Sequence, residues 1–515
     1  MALERLHAGR CDIFLTSYDT YRLNVEELAS VDWAYAVFDE AHRLVNEKSA
    51  IYEAACKLKN LRHKLALSGT PFNNRFEELR AYFNWLNPGL LPDKGEFEAY
   101  FTRVIQHGKR ADGEQKVLAL GKVREDELRS IIGKYFIQRN KDVLGDERPD
   151  KQEKIVFCRI SEMQARIYKR LQQSEDFALL IYSQEPCDCG QHDPPLCRSE
   201  CCYIESDGPI YQRQDHDHTG RMKCPYCIML ACISLLVKVS NHIDLIKADP
   251  NEQDKKKLEK DIKVAELALG EDAAECGGVL QTQSGIQMSA TDHCCKMQVL
   301  EALMELWSKQ NDKVLLFSTT TRLLDILEHF CGDKGYSSRR LDGKTKDRQE
   351  LVDEFNRNKG IFVFLISTKA GGVGLNLTAA NRVVIFDPSW SPGSDQQAQD
   401  RACRLGQTRE VEVYRLITSG TIEELIYSRQ VYKQLQTNSV LKKIASNRLF
   451  KGVQSDKKFK GELFGLLNLL KLEEEDVQFQ QLVNRQKRLH ELYTIAEKQD
   501  VLGEEEEDDE EEEEA

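Results

Sequence analysis

Short apolar runs that each end in a polar loop, with helical patterns between them, constrain the fold of this chain more than any other feature. Three runs lie in the first 140 residues, within CDIFLTSYDT, WAYAVFDEAH and HKLALSGTPF, and KVLLFS, IFVFLIST, NRVVIFD and VEVYRLIT form a second block. Buried strands that alternate with helices form parallel sheets, with active residues at the carboxyl ends of the strands. The sequence therefore predicts an α/β fold with two parallel-sheet blocks.

The length and hydropathy of the chain indicate a multidomain intracellular protein. Its 515 residues are enough for roughly two to four domains that each bury a core. No apolar run approaches the roughly 18 residues that cross a bilayer. The first residues contain no apolar stretch typical of a secretory signal.

An acidic pair follows one of the apolar runs of the first block. Asp39 and Glu40 come directly after AYAVF, and in nucleoside-triphosphate hydrolases one such carboxylate holds magnesium while its neighbour polarises the attacking water. Taken alone, the letters DEAH are as consistent with a solvated helix start. Ser68 and Thr70, in SGTP, follow the next apolar run and suit a loop that couples a nucleotide site to its surroundings. Together the two motifs resemble motifs II and III of superfamily-two helicases.

The second block carries a glycine-rich loop and a pair of arginines. Gly371, Gly372 and Gly374 come just after a predicted strand, where glycines let backbone amides approach phosphates closely. Arg401 and Arg404 lie three residues apart, so we expect them to share one face of a helix. Paired guanidinium groups neutralise the charge that builds on a transferring γ-phosphate.

Several motifs occur in order along the chain and together carry a family resemblance. They are DEAH, SGTPFNN, LDGKT, STKAGGVGLNLTAANRVVIFDPSWSP and QAQDRACRLGQ. This set resembles the Swi/Snf family of helicase-like DNA translocases, and Pro388, Trp390 and the pair Gly406–Gln407 favour that family over RNA helicases. The resemblance covers roughly Leu15 to Thr437, apart from a cysteine-rich insertion and a polar linker. From Arg448 onward, RLFKGVQSD and GELFGLLNLL are most similar to the excision-repair branch around Cockayne syndrome group B.

The resemblance implies a fold, ligands and residue roles. It implies two RecA-like lobes, ATP and magnesium as cofactors, and double-stranded DNA, nucleosomes or repair proteins as partners in the nucleus. Translocation along any sequence requires contacts to DNA phosphates rather than to bases. The implied catalytic residues are Asp39, Glu40, Arg401 and Arg404. The implied nucleotide-coupling residues are Ser68, Thr70, Gly372, Gly374 and Gln397, and those implied to contact the DNA backbone are Thr16, Ser17, Ser318 and Asn376.

One part of the family pattern does not occur in the sequence. A complete motor has a phosphate loop, G-x-x-x-x-G-K-S/T, on the order of a hundred residues before the acidic pair. No such loop occurs in the 515 residues, and Gly343-Lys344-Thr345 does not qualify because Ser338 occupies the required upstream glycine position. We therefore expect the first lobe to be N-terminally incomplete and the chain alone to be inactive as an ATPase. The alternative function is that of a non-catalytic DNA- or partner-binding short form.

A cluster of cysteines interrupts the motor pattern between residues 187 and 232. Cys224 and Cys227 form a Cys-x₂-Cys pair of the kind that binds zinc at a tight turn. The partners upstream are either Cys187 with Cys189, or Cys197 with Cys201 or Cys202. His192, His216 and His218 are further candidate ligands. A structural zinc site and a reduced, metal-free loop both stay open, because the first-half spacings fit no standard finger.

The same patterns predict the order of domains and a charged tail. The predicted regions are a first lobe (1–140), inter-lobe helices (141–295) with the insertion (183–232) and a polar linker (248–292), a second lobe (296–450), a helical extension (451–503) and an acidic tail (504–515). Eleven consecutive acidic residues, 504–514, account for most of the net charge of −13 and predict disorder. The tail is either solvated, or an electrostatic decoy for histones or a brake on DNA binding.

Overall fold

The computed structural model describes most of the chain up to residue 472. The described residues are 5, 8, 9, 11–58, 61–69, 75–139, 150–183, 185–191, 195, 198–201, 207–213, 226–281, 294–371, 374–441, 450–454, 456, 458–460, 463, 466–470 and 472. They divide into two compact units. The first comprises residues 1–138, 391–393 and 432–454, and the second comprises residues 139–390, 394–431 and 455–515. No helix among the described residues is long and apolar enough to cross a bilayer.

The first unit holds a two-stranded parallel sheet and the helices packed on one of its faces. Strands β1 (Trp33–Phe38) and β2 (Leu61–Ala66) pair in register from Trp33 with Leu61 to Phe38 with Ala66. The α-helices are α1 (Tyr18–Leu23), α2 (Val25–Ala29), α3 (Ala50–Lys57), α4 (Phe76–Leu86), α5 (Lys94–Phe97), α6 (Arg103–His107) and α7 (Gln115–Gly133). A 3₁₀ turn (Ala41–Leu44) and a π turn (Glu98–Thr102) complete the described helical segments.

The core of the first unit is aromatic and lies on one side of the sheet. It contains Phe76, Phe83 and Trp85 of α4 together with Phe97 and Phe101, all of which are buried. Helix α4 supplies five of the buried residues of this core, since its apolar residues recur at helical spacing.

The other side chains of β1 and β2 are open to solvent. Tyr35, Val37 and Leu65 are 61%, 57% and 48% exposed, so the two runs form strands as predicted but are not buried ones. The prediction of a third strand within CDIFLTSYDT is wrong, since no described strand pairs with residues 11–17. That segment packs through Phe14, whose ring lies 6.3 Å from that of Trp33, while Leu15 is 95% exposed.

The second unit is built on a six-stranded, fully parallel sheet in the order β3-β8-β7-β4-β6-β5. The strands are β3 (Lys151–Cys158), β4 (Val314–Ser318), β5 (Ser338–Leu341), β6 (Val363–Ser367), β7 (Arg382–Ile385) and β8 (Val411–Thr418). Every residue of the central strands β4 and β6 is buried, as is typical of parallel sheets that are covered on both faces. The predicted α/β class with parallel sheets is confirmed.

Helices cover both faces of this sheet and form a separate layer beside it. They are α8 (Glu162–Gln172), α9 (Glu175–Tyr182), α10 (Arg198–Cys201), α11 (Pro209–Arg213), α12 (Tyr226–Asn241), α13 (Lys255–Leu269), α14 (Cys295–Lys309), α15 (Thr321–Asp333), α16 (Arg348–Arg357), α17 (Thr368–Gly371), α18 (Pro392–Gln399), α19 (Ile422–Leu441) and α20 (Leu466–Leu469). The first two residues of α18 and residues 432–441 of α19 belong to the first unit. Short 3₁₀ turns occupy Ile243–Leu245 and Gly270–Ala273. Trp307 and Leu327 pack on one face of the sheet, and Phe355 packs on the other.

The separate layer consists mainly of α8, α9, α12 and α13 and shares one apolar cluster. Ile167, Phe177, Leu236 and Leu269 are buried in it. Helix α13 lies within the stretch interpreted from sequence as a polar linker. One face of this helix is nevertheless buried, through Val264, Ala265, Ala268 and Leu269. The stretch is therefore part of the folded helical layer over the length of α13, because an apolar stripe at its C-terminal half offsets the lysine-rich start.

Candidate functional site

The acidic pair of the first unit lies where β1 ends. Asp39 is exposed, and the backbone of Glu40 adopts the left-handed conformation (φ 50°) before the 3₁₀ turn begins. The Glu40 amide donates to Asp39 Oδ1 at 2.9 Å, and the Tyr18 hydroxyl donates to the Asp39 carbonyl oxygen at 2.9 Å. The Glu40 side chain is 41% exposed, so both carboxylates are accessible to a cation and a water molecule.

The carboxyl end of β2 lies directly beside this turn. The Leu67 amide donates to the Phe38 carbonyl oxygen, and the Ala41 amide donates to the Leu67 carbonyl oxygen, both at 2.9 Å. These bonds extend the β1–β2 pairing to the loop that contains Ser68. The structure therefore brings together the two motifs that are about thirty residues apart in the sequence. Thr70 of the same loop lies outside the described residues.

His42 links the two motifs and was not among the predicted site residues. Its Nδ1 lies 3.3 Å from Glu40 Oε2 and 3.5 Å from Ser68 Oγ. Burial lowers the pKa of His42, and the Glu40 carboxylate opposes that shift. The imidazole is therefore held between a proposed catalytic carboxylate and the coupling loop. Its place in the DEAH motif was visible in the sequence, but the contact with Ser68 was not.

The two polar residues predicted to contact a DNA backbone in the first unit precede α1. Thr16 and Ser17 are both exposed. The Ser17 hydroxyl caps α1 by accepting from the Thr20 amide at 3.1 Å, a contact that stabilises a helix start. Thr16 donates only a long 3.4 Å bond to the neighbouring Ser17 carbonyl oxygen. Its hydroxyl is thus the more accessible of the two.

In the second unit the glycine-rich loop and the arginine segment are adjacent. Gly374 and Asn376 are exposed, and the Leu377 amide donates to the Arg401 carbonyl oxygen at 3.1 Å. Gly374 has φ +30°, and no heavy atom would contact a Cβ placed there. Gly372 lies outside the described residues. Gln397 is half-buried in α18.

The prediction that Arg401 and Arg404 share a helical face is wrong. Helix α18 ends at Gln399, and residues 401–406 form turns. The Arg401 and Ala402 amides donate to carbonyl oxygens three residues earlier rather than four. The Arg401 carbonyl oxygen accepts from the glycine loop, so it is not used in a helical bond. Arg401 is 3% exposed, whereas Arg404 is half-buried.

Ser318 lies at the end of β4 within a buried polar cluster. It is fully buried, and its hydroxyl accepts from the Thr320 amide at 3.2 Å. The neighbouring Thr319 amide donates to both oxygens of Asp387, at 3.0 and 3.1 Å. Burial raises the pKa of Asp387 to about 6. The phosphate contact implied for Ser318 would require its hydroxyl to leave this turn.

A buried lysine stabilises the same region from the opposite side. Lys296 Nζ lies 2.6 Å from Glu423 Oε2 and donates to Asn241 Oδ1 at 2.9 Å and to the Phe386 carbonyl oxygen at 2.7 Å. Both charged side chains are inaccessible, at 0% and 1% exposure. Since a buried ion pair is tolerated only when its remaining donors are satisfied, this lysine ties β7 to α12 and α19.

Three of the predicted zinc ligands come together in the cysteine-rich insertion. The sulphur atoms of Cys187, Cys189 and Cys201 all lie within 4.8 Å of one another. The Cys189 and Cys201 sulphurs are 3.2 Å apart, between the roughly 2.05 Å of a disulfide and the roughly 3.8 Å expected for two thiolates at about 2.3 Å from one tetrahedral zinc. Cys197 and Cys224 lie outside the described residues. Cys227 is the second residue of α12, and nothing is described of its side chain.

An ion pair holds the two segments that carry these cysteines. Arg198 of α10 donates to both oxygens of Asp188, at 2.7 and 3.2 Å, and its guanidinium lies 4.3 Å from the centre of the Tyr182 ring. The Arg198 hydrogen bond lowers the pKa of Asp188. Asp188 lies between Cys187 and Cys189, and Arg198 precedes Cys201 by one turn of helix. The clamp therefore fixes the three thiols near one another.

Comparison with protein families places two domains on the chain. Residues 2–188 match the SNF2-related domain, and residues 295–406 match the helicase conserved C-terminal domain. The glycine loop and Arg401 and Arg404 fall in the second match, and the acidic pair and the coupling loop fall in the first. The order of the two matches is the order of the motifs in the sequence.

Curated relatives resemble almost the whole chain. It is 41% identical to "Switch 2" of Arabidopsis thaliana over 92% of this chain and 55% of that protein. It is 37% identical to "DNA excision repair protein ERCC-6-like 2" of Mus musculus over 92% of this chain and 30% of that protein. It is 34% identical to "DNA excision repair protein ERCC-6" of Homo sapiens over 82% of this chain and 24% of that protein. The chain thus spans about a quarter to about half the length of these relatives.

Proposed function

The chain belongs to the Swi/Snf family of helicase-like ATPases, and we propose that it works as an ATP-dependent translocase on double-stranded DNA in DNA repair or chromatin remodelling. The observation that carries the proposal is the pairing of β1 with β2, which places Asp39 and Glu40 beside Ser68 with His42 between them. The relatives include proteins named for DNA excision repair, which supports the repair branch. We propose a nuclear location and duplex DNA, nucleosomes or repair proteins as partners.

The proposed roles are those that the family resemblance implies for these positions, with one added for His42. The exposed carboxylate of Asp39 is a hard oxygen donor that suits magnesium, and Glu40 polarises the attacking water. Arg401 and Arg404 neutralise charge on the γ-phosphate. His42 relays the state of Glu40 to Ser68 through its imidazole. Coupling residues are Ser68, Thr70, Gly372, Gly374 and Gln397, and residues that contact the DNA backbone are Thr16, Ser17, Ser318 and Asn376.

The 515 residues by themselves should hydrolyse ATP very slowly, with or without DNA. They contain no G-x-x-x-x-G-K-S/T loop, whose amides and lysine supply most contacts to the β- and γ-phosphates. Robust DNA-stimulated turnover by this chain would overturn that expectation. The second candidate function, a non-catalytic DNA- or partner-binding form, is favoured by the same missing loop.

Glu40→Gln tests the assignment of the acidic pair. In a chain that also contains a phosphate loop, the variant should abolish turnover and leave ATP binding intact, because only the water-polarising carboxylate is removed. The matched control is Glu27→Gln, an exposed glutamate of α2 in the same unit. Normal turnover in Glu40→Gln would show that the wrong pair has been assigned.

Duplex binding tests the translocase proposal without hydrolysis. Since the proposed contacts go to phosphates, the chain should bind unrelated duplexes of equal length with the same affinity, which should fall steeply as salt rises from 50 to 200 mM, as counterion release requires. The measurement is a salt titration of fluorescence anisotropy. Salt-insensitive binding, or a strong preference for one sequence, would contradict the proposal.

We also propose that Cys187, Cys189 and Cys201 bind a structural zinc ion. The converging sulphurs and the Asp188–Arg198 clamp support it. Chelator-free protein should contain about one zinc per chain, and Cys187→Ser with Cys189→Ser should lose it, whereas Cys56→Ser, at an exposed cysteine of the first unit, should not. Cys224→Ser with Cys227→Ser tests whether that pair completes the site. Folded wild-type protein without metal would favour the reduced loop.

A further inference from the structure

A basic cavity lies between three helices of the second unit. None of the residues that line it has been assigned a role above. It encloses about 610 Å³ between α11, α12 and α13 and is lined by five cationic side chains. These are Arg213, Lys238, Lys256, Lys257 and Lys260. We call this space the α11–α13 cavity. A concentration of like charges around one space is unfavourable unless carboxylates or a bound anion compensate it.

Carboxylates within the unit compensate only part of this charge. Asp261 binds Arg213 Nε at 2.6 Å, and Glu252 pairs with Lys257. Asp254 lines the cavity, but its carboxylate already accepts from the Lys256 and Lys257 amides at the start of α13. The helix terminus is therefore already capped by the protein, and the side-chain ammonium groups are what a ligand would meet.

Lys238 and Lys256 are the cations with spare capacity. In the part of the chain that the structure describes, no carboxylate oxygen lies within 4 Å of either ammonium group. Lys256 is exposed, and Lys238 is half-buried on α12. Burial lowers the pKa of Lys238, the nearby Arg213 lowers it further, and the Asp261 carboxylate opposes these two effects. An anion entering the cavity would offset both effects.

The chain itself contains a polyanion that suits this cavity. Residues 504–514 are eleven consecutive carboxylates, the longest run of one charge in the sequence. The chain leading to them is held on the same helical layer, because Leu466, Leu469 and Leu470 pack in the apolar cluster that contains α8, α12 and α13, and Gln172 of α8 donates to the Leu470 carbonyl oxygen. The tether therefore starts beside the elements that form the cavity.

Reach does not limit the contact. Thirty-one residues separate Leu472 from Glu504, and a chain of that length spans roughly 45 Å as a helix and up to roughly 100 Å when extended. A segment tethered in this way is present at an effective concentration on the order of millimolar. Weak pairwise attractions between ammonium and carboxylate groups are then sufficient for occupancy.

We propose that the α11–α13 cavity is a docking site for the acidic run 504–514 of the same chain. The run would place its carboxylates against Lys238, Lys256 and Lys260. This contact holds the polyanion on the helical layer and withholds the cavity cations from other polyanions. It depends on neither ATP nor DNA, so it stands apart from the proposed function.

Binding in trans provides the first test. A labelled peptide of residues 504–514 should bind the chain shortened to residue 503, and the affinity should fall with salt because exposed charges are screened within about 10 Å at 0.1 M. Lys238→Gln with Lys256→Gln should weaken binding about 5- to 10-fold at low salt, the effect of losing two partly exposed ion pairs. Anisotropy titration is the measurement, and a peptide with every acidic residue replaced by glutamine should not bind.

A matched variant separates a built site from general charge attraction. Lys309→Gln with Lys334→Gln removes the same charge from exposed lysines of the same unit and should leave the affinity unchanged. Equal weakening in the two double variants would overturn the proposal. If Lys238→Gln disturbs folding, the double variant Lys256→Gln with Lys260→Gln takes the place of Lys238→Gln with Lys256→Gln. Both of its lysines are on α13 and are at least partly accessible.

Cross-linking of the intact chain tests the contact in cis. A carbodiimide should join residues 504–514 to Lys238, Lys256 or Lys260 within one molecule, at a yield independent of protein concentration. Cross-links spread over all exposed lysines would contradict a specific site. If the cavity variants reduce binding of duplex DNA but not of the peptide, the cavity is a nucleic-acid site and the proposed occupant is wrong.

Discussion

The two sheets of the molecule are built from similar apolar runs but have opposite relations to solvent. In the first unit, Tyr35 and Val37 of β1 and Leu65 of β2 are about half exposed or more. In the second unit, each residue of β4 and β6 is buried between helices on both faces. The difference shows that an apolar run specifies a strand, whereas the elements around it decide whether its side chains are buried. The stability of the two units should accordingly depend on different contacts.

The largest difference is expected for a buried charge. Lys296→Met leaves Glu423 buried without its partner and should lower the free energy of unfolding of the second unit by about 3–5 kcal/mol. The first-unit counterpart, Lys57→Met, breaks an exposed pair with Glu26 and should cost at most about 1 kcal/mol. Urea denaturation measures both. Combining Lys296→Met with Glu423→Gln should recover part of the loss, and equal effects in the two units would break the comparison.

A matched pair of leucines tests burial directly. Leu365→Ala in β6 removes a fully buried side chain and should cost about 2–5 kcal/mol, because it leaves a cavity as well as losing apolar contacts. Leu65→Ala in β2 removes a side chain that is 48% exposed and should cost less than about 1 kcal/mol. The readout is the urea midpoint with an unchanged slope. A large loss for Leu65→Ala would mean that the first sheet is covered in solution.

Acidification should affect the two units in opposite directions. The pKa of Asp387 is raised to about 6 by burial, so its contribution to stability is present below about 4 and lost as pH rises through 6. The pKa of His42 is lowered by burial, so its contribution is present above about 6.5 and lost as pH falls through the folded value.

Unfolding of wild type against Asp387→Asn and against His42→Gln, between pH 4 and 8, measures these contributions. The difference between wild type and Asp387→Asn should favour wild type more at pH 4 than at pH 7, by roughly 1–3 kcal/mol. The difference for His42→Gln should have the opposite slope. If the stability of wild type and of either variant changed with pH in parallel, that residue would not be the source of the pH dependence.

Helix caps should have equal effects in the two units. Ser17 caps α1 and Thr320 caps α15, each by accepting from the amide three residues later. Replacing either by alanine should cost about 1 kcal/mol, because a cap is a local contact that does not depend on burial of the sheet. Thermal unfolding of Ser17→Ala and Thr320→Ala is the measurement. If the two losses of stability differed by more than twofold, the contribution of a cap would depend on the burial of the unit around it.

The sequence indicated the central strands and missed the edges. β4, β6, β7 and β8 coincide with apolar runs, whereas β3 (KQEKIVFC) and β5 (SRRL) do not. These two are the outer strands of the six-stranded sheet, and an outer strand tolerates charged residues because part of it faces solvent. A criterion based on apolar runs therefore finds the covered strands and overlooks the outer ones.

The candidate site was predictable where it depends on one strand end and not where it depends on tertiary contacts. Asp39 and Glu40 follow from a single run and its loop. The contact of His42 with Ser68 joins residues 26 positions apart, and spacing alone does not reveal it. At the turn, the Arg401 carbonyl oxygen accepts from the Leu377 amide, a bond that helical periodicity cannot anticipate.

The pairing of β3 with β8 has a consequence for how the chain reaches its fold. Lys154 and Tyr414 are partners across this ladder although 260 residues separate them, so the outer strand can join only after most of the second unit has been synthesised. Closing so long a loop costs entropy that grows only with the logarithm of its length. An insertion of about 100 residues inside it adds roughly 0.3 kcal/mol. Evolution could therefore lengthen this interval at little thermodynamic cost, while contacts of such long range slow folding.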